Sequence, residues 1–353
     1  MKKNTSTKKN TSTKKNKKKQ RKIYKLTIFC IFLDIFVVTC FFLAYGPYDK
    51  LRNLYITTAM KTMNHQYLAK IFYSDKTIEK VMNSNYLIKI NDKVNLDNIV
   101  INTKDTGHYK NKYEEQILKR ENKNDSYKLI NTKVGSANAY LVAIYEPKKV
   151  RLVSKETLGT EKGEQLKSIC KRYNGKVCIN GGGFVDYGYG SGIPLGYVIE
   201  DGKITWSDGD SSTTTGEIIG LTKEGKLMLL EGTGDEALKA GIIHGLQFGP
   251  FLIVNGKPIE IVGDPWGKAP RVSIAQRKDG IILFLVIDGE NYISGAGLQD
   301  VVDVLTQYGA YNAANLDGGT SSSLVINGEL VNNPPKAKSY GGRFVVTGWG
   351  LVP

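Results

Sequence analysis

Between residues 26 and 45 the chain runs LTIFCIFLDIFVVTCFFLAY, twenty residues with a single charge, Asp34. At a helical rise of about 1.5 Å per residue this covers about 30 Å, one hydrocarbon thickness. A helix is the form in which such a segment satisfies its own backbone in lipid. Lysines and arginine crowd the N-terminal side and stop at Lys25. By the positive-inside rule the N-terminus is expected in the cytoplasm and everything after Tyr45 outside. The alternative is a cleaved signal peptide, but the run is long for such a core and no clear small-x-small cleavage site follows it. Asp34 at mid-span costs roughly 2.5–3.5 kcal/mol on insertion scales and carries no assigned function.

The net charge of +15 invites a nucleic-acid partner, yet residues 1–45 alone carry +11, from eleven Lys, one Arg and Asp34. The remaining 308 residues are close to neutral, so no nucleic acid is expected. The tail repeats KKNTST, and after Met1 no apolar residue occurs before Ile23. Residues 1–25 therefore read as a Lys-rich disordered tail, followed by a transmembrane helix at 26–45. With 41% hydrophobic and 24% charged residues, the chain as a whole is neither wholly disordered nor multispanning.

Residues 46–126 read as an extracellular juxtamembrane helix and linker. Over 48–83 Leu51, Leu54, Tyr55, Thr58, Met63, Tyr67, Leu68, Ile71 and Phe72 recur at helical spacing, a face suited to homo-oligomer formation. Residues 91–126 are polar and read as the linker. From Tyr127 short β-type runs alternate with turns. Strands are expected at 139–144 and 150–154, a helix at 163–173 and another at 298–308, with closing strands near 313–316 and 343–351. Between them Asp201-Gly202, Glu224-Gly225, Asn255-Gly256, Asp279-Gly280 and Asn327-Gly328 mark hairpins. The expected class is α+β, a mixed and mostly antiparallel sheet core with flanking helices over 127–353. Cys170 and Cys178, eight apart, are either a disulfide or two buried thiols.

Three segments ask for more than packing. INGGGF (179–184) follows a strand, and three glycines there let the backbone take φ > 0 or approach a ligand closely. LDGGTSSS (316–323) brings N–H groups, hydroxyls and a carboxylate to one strand end, which suits a phosphate or sugar hydroxyls. The third is scattered: Arg271 in APRVSIAQ, Asp288 after IILFLVI and Arg343 in GGRFVV, two cations able to hold a diester oxygen bidentately. His65 and His108 lie before the body, so a Ser-His-Asp triad has only His244, and no GxSxG elbow accompanies it.

In order, INGGGF, QFGPFLIVNGKP, APRVSIAQ, LVIDG, AANLDGGTSSSLVINGELVNNP and GGRFVVTGWGLV resemble the phosphodiester glycosidase family over about residues 127–353. The anchor resembles that of its membrane-bound bacterial members. The resemblance implies hydrolysis of the bond between a sugar's anomeric carbon and a phosphodiester oxygen, in a cell-wall glycan or exopolysaccharide. It implies Asp317, Asp288 and Arg271 as catalytic residues, with either carboxylate serving near C1. Asn180, Gly181, Gly182, Asn315, Gly318, Gly319, Ser321, Ser322 and Arg343 are implied in substrate binding, the asparagines toward sugar hydroxyls or an acetamido group. A phosphate leaving group is a weak base, so a histidine acid is not demanded. No cofactor is required, although Asp288, Glu290 and Asp317 are oxygen ligands suited to a divalent cation. Glu290 stands where the bacterial relatives carry a base, and it supports the rival reading, a surface carbohydrate-binding or assembly protein without turnover. A phosphodiesterase cutting the P–O bond is the third.

Overall fold

The computed structural model describes residues 6–61, 65–105, 107–160, 162–186, 191–289, 294–335 and 341–353. The chain divides into two compact units, residues 1–78 and 79–353.

In the first unit one helix runs from Ser6 to Tyr45, and its stretch Gln20–Phe42 is long and apolar enough to cross a membrane. The Lys-rich tail, expected to be disordered, is thus helical from Ser6 onward; once the apolar span has nucleated a helix, lysine propagates it well. The juxtamembrane segment is broken rather than continuous. Helices Asp49–Met60 and Gln66–Phe72 are followed by Asp75–Asn83, which crosses the unit boundary. Met63, placed on the expected helical face, lies outside the described residues.

Among the described residues the second unit has three larger sheets and two two-stranded ones, and every strand pairing is antiparallel. Its largest sheet has seven strands, in the order Lys257–Pro258, Phe251–Val254, Ala310–Leu316, Arg271–Arg277, Ile282–Ile287, Ala137–Ile144, Tyr127–Val134. The strand Ile282–Ile287 explains the arrangement, because it is apolar on both faces. Leu283, Leu285 and Ile287 pack against helix Leu298–Gln307. Ile282, Phe284 and Val286 face the other way, toward two five-stranded sheets. One of these contributes Leu152, Ile179 and Trp349, the other Ile219, Leu221 and Leu246. Buried amides seal the second contact: Gln276 accepts from the Leu227 N–H at 2.6 Å, and Asn312 donates to the Leu227 carbonyl at 3.2 Å.

All five expected hairpins form. At Asp201-Gly202, Asn255-Gly256 and Asn327-Gly328 both turn residues have positive φ, the conformation these dipeptides tolerate best. Cys170 and Cys178 are joined in a buried disulfide. It ties helix Leu166–Arg172 to strand Val177–Asn180.

The polar stretch expected to be a linker instead wraps the body. Strand Tyr86–Ile88 pairs with Glu260–Val262. The N–H groups of Val100 and Asn102 donate to the carbonyls of Lys278 and Asp279, both at 2.9 Å. Helix Lys112–Leu118 is capped by Asn111 and buries Ile117 and Leu118 against the helix-side core. Its carbonyl at Ile117 accepts from the Tyr145 hydroxyl at 2.7 Å, and Gln116 accepts from Tyr308 at 2.8 Å. Three buried apolar side chains (Ile99, Ile117 and Leu118) at about 1.5–3 kcal/mol each make this arm worth a large share of a domain's stability. A chain beginning at residue 75 is therefore expected to melt cooperatively. One beginning at residue 127, the boundary suggested by sequence texture, is expected to melt at least 10 °C lower or to aggregate, as differential scanning calorimetry of the pair will show.

Candidate active site

Two loops leave neighbouring sheets at the same end of the body. Strand Val177–Asn180 runs into Gly181-Gly182-Gly183, and strand Ala310–Leu316 runs into Asp317-Gly318-Gly319. They are stitched together by backbone and amide contacts. The Asp317 N–H donates to the Gly181 carbonyl at 3.0 Å, and Asn180 Nδ2 donates to the Asp317 carbonyl at 2.7 Å. Thr347, opening the strand Thr347–Leu351, accepts from Gly181 N at its carbonyl (2.8 Å) and from Gly182 N at its hydroxyl (3.1 Å). Glycine is required by proximity here. A Cβ on Gly318 would stand 2.6 Å from the Pro270 carbonyl oxygen, and one on Gly181 would stand 2.6 Å from Thr347 Oγ1.

The stitched loops gather one cation and two carboxylates. Arg343 Nη2 lies 2.5 Å from Asp186 Oδ2, and its Nη1 donates to Thr320 Oγ1 at 2.6 Å. Its guanidinium also sits over the Phe184 ring, 5.2 Å from the centroid. The Asp186 side chain is only 9% exposed and that of Arg343 22%, so the pair is sheltered with one solvent-facing side. Asp317 is partly exposed as a residue, yet its carboxyl lies deep. Burial pushes its pKa up to about 6, opposed by the Ser321 hydroxyl and by Arg343 and reinforced by the negative charge of Asp186. A carboxyl poised near neutrality beside an arginine is a usual arrangement in sites that move protons or meet anions.

Of the expected residues, Asp317, Ser321 and Arg343 come together here, and Gly318 donates to the Asp317 carboxylate. Others do not occupy the expected roles. Arg271 is buried on the helix-side face, where Nε donates to the Ala296 carbonyl at 2.9 Å and Nη2 to Trp266 and Gly267 at 3.1 and 2.5 Å. It clamps a loop instead of reaching toward a phosphate. Asp288 is likewise a brace: its oxygens accept from Asn332 Nδ2 at 2.9 Å and from the Asn333 N–H at 3.1 and 3.2 Å, and Tyr140 bonds it too. The carboxylate brought beside Asp317 is Asp186, which lies just past INGGGF and which no pattern in the sequence marks.

Asn180 spends both ends of its amide on protein, its Oδ1 accepting from Ser323 N at 2.9 Å, so it positions the loop rather than a sugar. The N–H groups of Gly181, Gly182 and Gly319 are engaged by Thr347 and the Pro270 carbonyl, so they form no anion cradle. Asn315 donates to the Gly249 carbonyl at 3.3 Å, while its Oδ1 and Ser322 Oγ are buried without partners. No group of three metal-ligating side chains occurs among the described residues. Glu290, the third member of the expected cation site, lies outside them. His244 sits at the Asp201-Gly202 turn of another sheet, and burial pushes its pKa down to about 4. A larger cleft of about 670 Å3, between the arm and the Lys278–Asp279 turn, is at the opposite end of strand Arg271–Arg277 from this site.

The sequence model of the phosphodiester glycosidase family matches residues 173–352. The chain belongs to this family. The matched region contains Asn180, Asp186, Asp317 and Arg343, so the site lies wholly within the phosphodiester glycosidase domain. Among curated relatives, the chain is 30% identical over 184 residues to the SPbeta prophage-derived protein YomE of Bacillus subtilis, covering 50% of this chain and 28% of that protein. It is 24% identical over 177 residues to the N-acetylglucosamine-1-phosphodiester alpha-N-acetylglucosaminidase of Mus musculus, covering 45% and 33%. The chain thus spans about a third or less of the length of these relatives. Its fold is similar to the catalytic domain of zebrafish N-acetylglucosamine-1-phosphodiester alpha-N-acetylglucosaminidase, with a TM-score of 0.53 and 20% identity over 64% of this chain and 82% of that one.

Proposed function

We propose that this phosphodiester glycosidase hydrolyses the bond between a sugar's anomeric carbon and a phosphodiester oxygen, in glycans outside a membrane to which its N-terminal helix anchors it. The observation that carries the proposal is the sheltered trio of Asp317, Asp186 and Arg343. Arg343, steadied by Thr320, is placed to hold a phosphate oxygen and offset the charge that builds on the departing monoester. Asp317, ionised above about pH 6, is the carboxylate for the anomeric side, attacking C1 or taking a proton from the water that does. The departing phosphate leaves as a weak base, so no strong acid is needed on that side.

The test is turnover of the methyl phosphodiester of N-acetylglucosamine-1-phosphate and related sugar phosphodiesters in 18O-labelled water. Label in the released sugar is expected. Label in the phosphate would make the protein a phosphodiesterase, and saturable binding without turnover would make it a glycan-binding protein. For topology, protease added outside intact cells is expected to release a fragment bearing the C-terminal strands while the Lys-rich tail stays protected. A protected C-terminus would overturn the orientation.

A further inference from the structure

Beside the glycine loop lies a cavity of about 300 Å3, lined by Leu195, Asp208, Glu217, Gln247 and Phe248 among others. The loop touches two of the lining residues. Leu195 N donates to the Gly183 carbonyl at 3.0 Å, and a Cβ on Gly183 would stand 3.2 Å from Phe248 Cε2. At the start of the same loop Gly181 accepts from the Asp317 N–H. Asn315 makes a second link, joining the strand that ends at Asp317 to the Gly249 carbonyl on the cavity's rim.

The lining differs in kind from the trio. Asp208 holds the Gly196 N–H at 2.7 Å through one oxygen. Glu217 accepts from the Phe251 N–H, and its Oε1 is 3.9 Å from Lys89 Nζ. The Gln247 side chain is fixed between Gly196 and Gly216, neither of which has room for a Cβ beside it. Phe248 and Leu195 add apolar surface. Carboxylates and an amide around an aromatic face suit the hydroxyls and C–H face of a pyranose, and the two carboxylates repel a phosphate.

We propose that this cavity seats the sugar ring, with Phe248 as its platform, so that the phosphodiester projects past the glycine loop toward Arg343. The assignment rests on the phosphodiester glycosidase reading for its orientation, and it predicts preference for pyranoses without a negative charge.

Binding to the full chain in detergent micelles tests it, by calorimetry with the methyl glycosides of glucose, galactose, mannose and N-acetylglucosamine, with methyl glucuronide, and with methyl phosphate. At least one neutral glycoside is expected to bind at millimolar concentration, and the glucuronide at least about tenfold more weakly, a difference of about 1.4 kcal/mol. Phe248→Ala and, separately, Glu217→Gln are expected to weaken the neutral glycoside about tenfold and methyl phosphate less than twofold. Arg343→Lys is expected to do the reverse. The proposal is overturned if no neutral glycoside binds, if the glucuronide binds as well as the neutral sugars, if both cavity variants leave glycoside affinity unchanged, or if Phe248→Ala weakens methyl phosphate instead. Turnover separates the two readings. Phe248-dependent sugar binding without turnover of any sugar phosphodiester sinks the catalytic reading alone; turnover with glycoside binding indifferent to both substitutions sinks only the cavity's role.

Discussion

Asp317→Asn is expected to abolish turnover, by about 10³-fold or more, while making the protein more stable at neutral pH. The two effects share one cause. Burial, with Asp186 nearby, raises the Asp317 pKa to about 6, above the value near 4 of an unfolded chain. The folded state therefore holds this proton more tightly than the unfolded state. Its stability contribution is fully present below about pH 4, falls as pH rises toward about 6, and stays lower above that. A shift of about two units corresponds to about 2–3 kcal/mol, which a neutral amide of the same shape does not forfeit. The variant is expected to melt about 5 °C higher at pH 7.5 and to lose that advantage below pH 4. Wild-type kcat/KM is expected to fall on the acid side with a midpoint near pH 6, because the working form is the carboxylate. Full activity in the variant would remove Asp317 from the chemistry. Inactivity with an unchanged melting temperature would show that its carboxyl bears no burial cost.

Arg343→Ala is expected to cost both activity and stability, and a second substitution separates the two. Removing the guanidinium takes the Arg343 cation from the Asp186 carboxylate, which is 9% exposed and faces Asp317. Breaking a sheltered pair from one side costs about 3 kcal/mol, the lower end of the range for buried pairs because Arg343 keeps some solvent contact. Adding Asp186→Asn removes the sheltered negative charge beside Asp317, so the double variant is expected to regain most of the lost stability in urea denaturation. Turnover is not expected to return. Arg343→Lys retains the charge but not the fork that spans Asp186 and Thr320, and should recover little activity. If the double variant stays as unstable as the single one, the stability of this corner does not depend on the ion pair.

The parts of the fold that were legible in the amino-acid order are those set by neighbours in the chain. The hairpins are an example: Asn255-Gly256 and Asn327-Gly328 carry the information for their turns in two residues. The apolar periodicity of helix Leu298–Gln307 is another. The arm was not legible, because its burial rests on a few apolar residues such as Ile99 and Ile117 set in polar surroundings, and on backbone hydrogen bonds that any sequence can make. In the site, LDGG and the Arg before the closing strands stood out, but the roles of the surrounding charges did not. Arg271 and Asp288 sit at strand mouths as an active-site pair would, and only their partners, backbone carbonyls for one and Asn332 with Asn333 for the other, show them to be braces. Asp186 was invisible for the opposite reason, since an aspartate after a glycine loop has no signature until Arg343 is folded against it.

The strand Thr347–Leu351 comes last in the chain but lies in the middle of its sheet, between Val177–Asn180 and Val150–Ser154, with Trp349 fully buried. A nascent chain therefore carries an open slot in that sheet until residues 347–351 have been made. Thr347, which pins the glycine loop, and Arg343, the site's cation, arrive with the same stretch. Chains stopped before this stretch thus lack the cation beside Asp186 as well as the strand that fills the sheet.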